Sequence, residues 1–177
     1  VLSIETEKPH FENERNSAFR VQMRGGSFGY VSPSIRWWQK AGSRTSFSLN
    51  GNYMRADGNY PFTLVNGKYV TEEKRNNSAI YTYQIEPTLF HTFKDSSNLE
   101  LKAYYFYSKR GLPGSVTLYN PISDETLWDE NVFIQTRYKK DFSQKWSLQA
   151  QAKYNHGWNK YEDKGNEYAD GLYRAVH

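Results

Sequence analysis

The residues best able to do chemistry are four acids close together, a set of loop aromatics and four histidines. Asp124, Glu125, Asp129 and Glu130 are hard oxygen donors of the kind that hold Ca²⁺ from a flexible loop. A solvated acidic loop is the better account of them. Tyr60, Tyr69, Tyr119 and Trp128 fall in segments without strand patterning and could stack on a flat or greasy ligand. Ring-rich loops are common on surfaces that face the outside, which is the bland reading. His10, His91, His156 and His177 have no metal-ligand spacing, and no Ser/His/Asp set can be assembled from the chain. Cysteine is absent, which removes disulfides, thiolate metal sites and a cysteine nucleophile. These residues point to binding and not to covalent catalysis. No resident cofactor is expected beyond the Ca²⁺ that the acids could hold.

Stepping outward from them, 177 residues suffice for one domain. Only 37% are apolar, yet 17% are aromatic, with 15 Tyr, 10 Phe and 5 Trp. Disordered chains are poor in rings, and an ordinary core would hold more aliphatics. A sheet with one ring-rich face and one polar face fits both facts. The net charge is +4, but the basic residues are dispersed along the chain, which argues against nucleic acid as a partner.

Period-two alternation is the dominant pattern. Phe47, Leu49, Gly51 and Tyr53 alternate with Ser46, Ser48, Asn50 and Asn52. Trp146, Leu148, Ala150, Ala152, Tyr154, His156 and Trp158 alternate with Ser147, Gln149, Gln151, Lys153 and Asn155. Similar phasing predicts strands over Ala18–Arg24, Tyr30–Ala41, Ser78–Phe93, Asn98–Ser108 and Asn131–Lys139, with a further short strand at Val1–Thr6. Pro33 and Pro87 fall inside two of them, and bulges are expected there because each removes a ladder donor.

The connections carry more information than the strands. Ala41–Arg44, Lys94–Ser97 and Asp141–Gln144 read as tight turns. Ala56–Asn77, Lys109–Glu130 and the stretch from Tyr161 onward read as long loops. In an up-and-down meander, successive turns fall at opposite ends, so, apart from the short first link Gly25–Gly29, short turns collect at one end and long loops at the other. Outer-membrane barrels are sorted in this way. Tyr83 to Phe93 is ten steps of roughly 3.3 Å, which at a barrel tilt covers roughly 25 Å, the height of such a barrel's apolar band. The expected fold class is therefore all-β, an antiparallel up-and-down meander forming part of a transmembrane β-barrel. A soluble or surface-attached β-sandwich that binds carbohydrate, and a passive porin, are the competing readings.

Several strings resemble TonB-dependent outer-membrane receptors. VLSIETEK (Val1–Lys8) resembles the strand that closes their plug domain, and RGGSFGY (Arg24–Tyr30) their first barrel hairpin. ADGNYPF (Ala56–Phe62), RNNS (Arg75–Ser78), SKRGLPGSV (Ser108–Val116) and LWDENVFIQ (Leu127–Gln135) resemble the next hairpins in order, and RGLPG points to the cobalamin-receptor-like branch. The resemblance implies that residues 1–8 end a plug and residues 9–177 form part of a barrel, as a piece of a longer protein. It also implies energy-coupled import of a scarce nutrient, such as a corrinoid or an iron chelate, across the outer membrane of a Gram-negative bacterium. The implied partners are a TonB complex reached through the plug, the small-molecule nutrient and outer-membrane lipid, with a surface lipoprotein as an additional candidate.

Overall fold

The computed structural model describes residues 16–114 and 123–164, and the backbone of residues 172–176. The expected strand Val1–Thr6 lies outside the described residues. There is no helix among them. The strands are β1 (Ser17–Gly25), β2 (Val31–Lys40), β3 (Thr45–Ala56), β4 (Pro61–Asn66), β5 (Tyr69–Lys74), β6 (Ile80–Thr92), β7 (Asn98–Leu112), β8 (Glu125–Asp141), β9 (Ser147–Asp163) and β10 (Leu172–Val176). One antiparallel sheet runs β1-β2-β3-β6-β7-β8-β9-β10, and β4 pairs with β5 as a separate hairpin. Each strand contacts only its ladder neighbours, so the sheet is a single layer.

The meander follows the expected plan. The seven strands read from the sequence correspond to β1–β3 and β6–β9, and β10 adds an eighth. With every pairing antiparallel and sequential in the main sheet, the turns 41–44, 93–97 and 142–146 share one end. The connections 26–30 and 57–79 lie at the other. The short-turn end is pinned by the turn between β6 and β7. There the Asp95 carboxylate accepts from the Ser97 hydroxyl at 2.6 Å and from the Lys140 ammonium at 2.8 Å. Ser96 supplies a positive φ of 65° in the same turn.

Three expectations need correction. First, Ala56–Asn77 is not an open loop, because it contains the β4–β5 hairpin. Asn66 pairs with Tyr69 across Gly67-Lys68, and Gly67 has the φ of +62° that the first position of such a two-residue turn requires. Second, the described part of Lys109–Glu130 is mostly strand, since β7 runs to Leu112 and β8 starts at Glu125. The apolar alternation fades there, but the ladder continues from Gly111↔Thr126 to Leu112↔Glu125. Charge pairing replaces grease, since Arg110 meets Asp129 at 3.0 Å. Third, neither proline makes a bulge. The β2–β3 ladder passes from Val31↔Arg55 to Ser34↔Asn52, and β6–β7 from Ile85↔Tyr105 to Thr88↔Lys102, with no residue inserted.

Burial is inverted relative to a water-facing sheet. One face carries a rung of Val21, Ile35, Gly51, Ile85, Tyr105, Val132 and His156 across seven strands. Large side chains on this face stand open, with Trp146 75%, Tyr154 67% and Ile134 51% exposed. On the opposite face small polar residues are sunk among longer neighbours, and Thr88 and Ser108 are each 2% exposed. Phe90 is the one hydrophobic residue counted as buried among those described, and it too lies on the polar face.

Candidate functional site

The long-loop end is tied into a platform by hydrogen bonds between successive connections. The Phe28 carbonyl accepts from the N–H groups of Asp57 and Gly58 at 2.8 and 3.2 Å. Ser78 Oγ donates to the Gly58 carbonyl at 2.8 Å, and Gly111 N–H donates to the Ala79 carbonyl at 2.9 Å. The Asn77 side chain donates to the carbonyls of Leu112 at 3.0 Å and Glu125 at 2.6 Å, which fastens the β5–β6 link to the tops of β7 and β8. Gly111 must lack a side chain, because a Cβ there would strike the Asn77 backbone.

On this platform Tyr60 stands between two other rings. Its centroid is 6.1 Å from Phe28 and 6.4 Å from Phe62, both edge-to-face. Phe28 and Tyr60 stay nearly half exposed, so the cluster presents ring surface to the outside. Tyr69 opens β5 and is exposed beside the hairpin tip, where Val65 and Val70 pair and also stay exposed. Tyr119 lies outside the described residues. Trp128 is not part of the cluster. It sits on β8 in the phase of the apolar face, with Lys109 Nζ 5.3 Å and Lys160 Nζ 4.5 Å from its ring. The structure thus sets Tyr60 beside Phe28 and Phe62, partners the sequence reading missed, and places Trp128 on a different surface. The strings SFGY and YPF place those partners beside loop glycines and a proline, but only the hydrogen bond from Asp57 to Phe28 shows that they meet.

The four acids do not form the cluster that Ca²⁺ would need. Glu125, Asp129 and Glu130 are on β8 and not on a loop, and a strand spreads Glu125 and Glu130 over roughly 17 Å. Asp129 faces the polar side, held by Arg110 at 3.0 Å and Asn159 at 2.9 Å, while Glu130 faces the other way. Asp124 is exposed ahead of the strand. Among the described residues no three His, Asp or Glu side chains converge as a metal site. His91 and His156 both lie in the aromatic phase, as the alternation predicts. His91 Nδ1 is 2.8 Å from Thr45 Oγ1 and its ring is edge-on to Phe93. His10 and His177 are outside the described residues.

The polar face carries a relay that sequence reading did not find. Arg36 Nε donates to Asn50 Oδ1 at 2.8 Å, Asn50 Nδ2 donates to Glu86 Oε1 at 3.3 Å, and Glu86 pairs with Lys102 at 3.0 Å. Nearby, Tyr104 stacks on Phe133 at 4.7 Å, and Lys153 caps that ring at 4.3 Å. These contacts cross strands far apart in the chain, so only the register brings them together. At the short-turn end, Lys140 and the hydroxyl and N–H of Ser97 hold the Asp95 carboxyl well below the usual carboxylate range.

The chain matches no known protein family, and no curated protein resembles it significantly.

Proposed function

We propose that this chain forms wall strands of an outer-membrane β-barrel of the TonB-dependent receptor type, importing a scarce nutrient such as a corrinoid or an iron chelate, without covalent catalysis. The observation that carries the reading is the inverted burial. A face bearing Trp146, Tyr154, Met23 and Ile134 in the open has no favourable place against water, and contiguous exposed grease of this kind marks a lipid or partner surface. Rings gather toward both ends of that face, with Tyr53, Tyr83 and Tyr107 near the long loops and Phe93, Tyr138 and Trp146 near the tight turns, while Trp37 and Tyr154 sit on the middle rung. Between them lie Leu49, Leu89, Leu101 and Ile134, which is the order of an apolar band between two interfacial girdles. The sorted connections favour long loops outside and tight turns in the periplasm. In this reading the Phe28–Tyr60–Phe62 platform meets the nutrient, with Tyr69 exposed on the neighbouring hairpin. The TonB complex and a surface lipoprotein are the protein partners.

The absence of cysteine makes the test clean. Single cysteines at Leu49, Ile85, Leu101 and Ile134, and at Ser48, Gln84, Lys102 and Gln135, are introduced into protein assembled in lipid vesicles. The first set should react only with a lipid-soluble maleimide and the second with a water-soluble one. Equal labelling of both sets by the water-soluble reagent would sink the membrane reading. For transport, uptake of labelled cobalamin by cells carrying the protein should stop when an uncoupler collapses the membrane potential. Uptake that persists would mark a passive pore instead.

A further inference from the structure

Two arginines stand directly opposite each other on the polar face, and among the described residues no carboxylate is paired with either. Arg20 on β1 and Arg36 on β2 are register partners, and Arg24 follows four residues along β1 on the same face. Like charges placed opposite on adjacent strands repel, and a sheet that keeps such a pair normally supplies a counter-charge. Here the cavity they line, about 280 Å³, contains Gln22, Ser34, Asn50, Asn52 and Gln84 but no acid. The nearest carboxylate on the same rung, Glu86, lies two strands beyond Arg36 and is already paired with Lys102. Arg36 spends its Nε on Asn50 and lies 5.5 Å from the Trp38 ring, and among the described residues the two terminal nitrogens of its fork have no acceptor and can meet a ligand. Lys40, the next cation on the same face of β2, adds to the imbalance.

We infer that this cavity is a binding site for a small solute carrying two separated acidic groups, one held by the Arg20–Arg36 pair and the other by Arg24. The fork of a guanidinium suits a planar carboxylate, and two forks facing each other can grip one from both sides. Arg20 and Arg24 are roughly 13 Å apart along the strand, which sets the separation of the two acids to within the swing of the side chains. The amides and hydroxyls between them give hydrogen bonds to a polar linker. The inference stands on the register of β1, β2 and β3 and does not require the membrane reading.

The test is calorimetric titration of the full chain in nonionic detergent with succinate, suberate and inorganic phosphate as probes, at low ionic strength. Suberate should bind saturably and at least tenfold more tightly than succinate, whose carboxylates are too close together. Arg36→Gln should weaken suberate at least tenfold. Arg24→Gln should reduce suberate to the affinity of succinate while leaving succinate and phosphate unchanged. Arg20→Gln should raise the thermal midpoint of the ligand-free protein by removing the repulsion, a readout independent of any ligand. The inference is overturned if no probe binds saturably, if suberate binding is unchanged in Arg20→Gln and Arg36→Gln, or if phosphate binds as tightly as suberate and does so in Arg24→Gln as well. A lowered midpoint in Arg20→Gln would equally overturn it, because the pair would then be balanced by something other than a ligand.

Discussion

Single residues at the two ends of the sheet hold most of the connections in place. Asn77 sits at a positive φ of 46° and spends both amide hydrogens on carbonyls from two different strands. Asn77→Ala should cost about 1–3 kcal/mol, because two half-buried carbonyls lose their donor and the backbone loses a residue that tolerates this conformation. Asn77→Gly keeps the conformation but not the hydrogen bonds, so its denaturation midpoint should fall between those of Asn77→Ala and the parent. Asp95 predicts a pH dependence. Its folded pKa is lowered by Lys140 and Ser97, so its contribution to stability is complete above the ordinary carboxylate range. That contribution is lost as pH falls through the lowered value. Measured against pH, the parent should lose stability on the acid side, and Asp95→Asn should show a shallower loss that starts from a lower plateau.

At the scale of strands, alternation was readable and its fading was misleading. Residues 45–56 and 146–158 announce their faces through Phe47, Leu49, Trp146 and Leu148, and the structure places them as read. The tops of β7 and β8 were hidden because Lys109, Arg110, Asp129 and Glu130 are polar in both phases, and a strand held by Arg110–Asp129 pairing leaves no hydrophobic period. The β4–β5 hairpin was hidden inside a segment judged by its flanks, although Asn66-Gly67 is a hairpin signal. The ring platform and the paired arginines were illegible for another reason, since both depend on register and loop docking between segments with no shared pattern. The two faces predict opposite tolerance. Leu101→Arg should destabilise the inserted protein by about 2–4 kcal/mol, whereas Gln135→Arg, one strand over and on the polar face, should be close to neutral in the same unfolding assay. The platform and the β8 tryptophan should separate as well. Tyr60→Ala should weaken nutrient uptake while insertion is unchanged, and Trp128→Ala, which removes a ring held between two lysines on the other surface, should leave uptake near parental.

Taken together, the described strands of the main sheet form one layer with an open face and two edges. Without lipid or detergent, the exposed rings and the outer edge of β1, unpaired among the described residues, both favour association. Light scattering should find oligomers in plain buffer and a single chain with bound detergent in micelles. A stable monomer in plain buffer would contradict the proposal that the apolar face was selected for lipid. Among the described residues each strand packs only against its ladder neighbours, and this bears on the order of assembly. Most of the described seams between strands in the main sheet are closed by a short turn, so each can zip locally as soon as its two strands exist. The β3–β6 seam is different, because residues 57–79 separate its strands. The β4–β5 hairpin shortens that separation by folding on itself, and loop closure costs less as the slack shrinks. The expected order is therefore two plates, β1–β3 on one side and β6–β9 on the other with its own 113–124 link, joined by a small clasp. Whatever delays that clasp delays the joining of the plates and leaves the edges of β3 and β6 open to other partners in the interval.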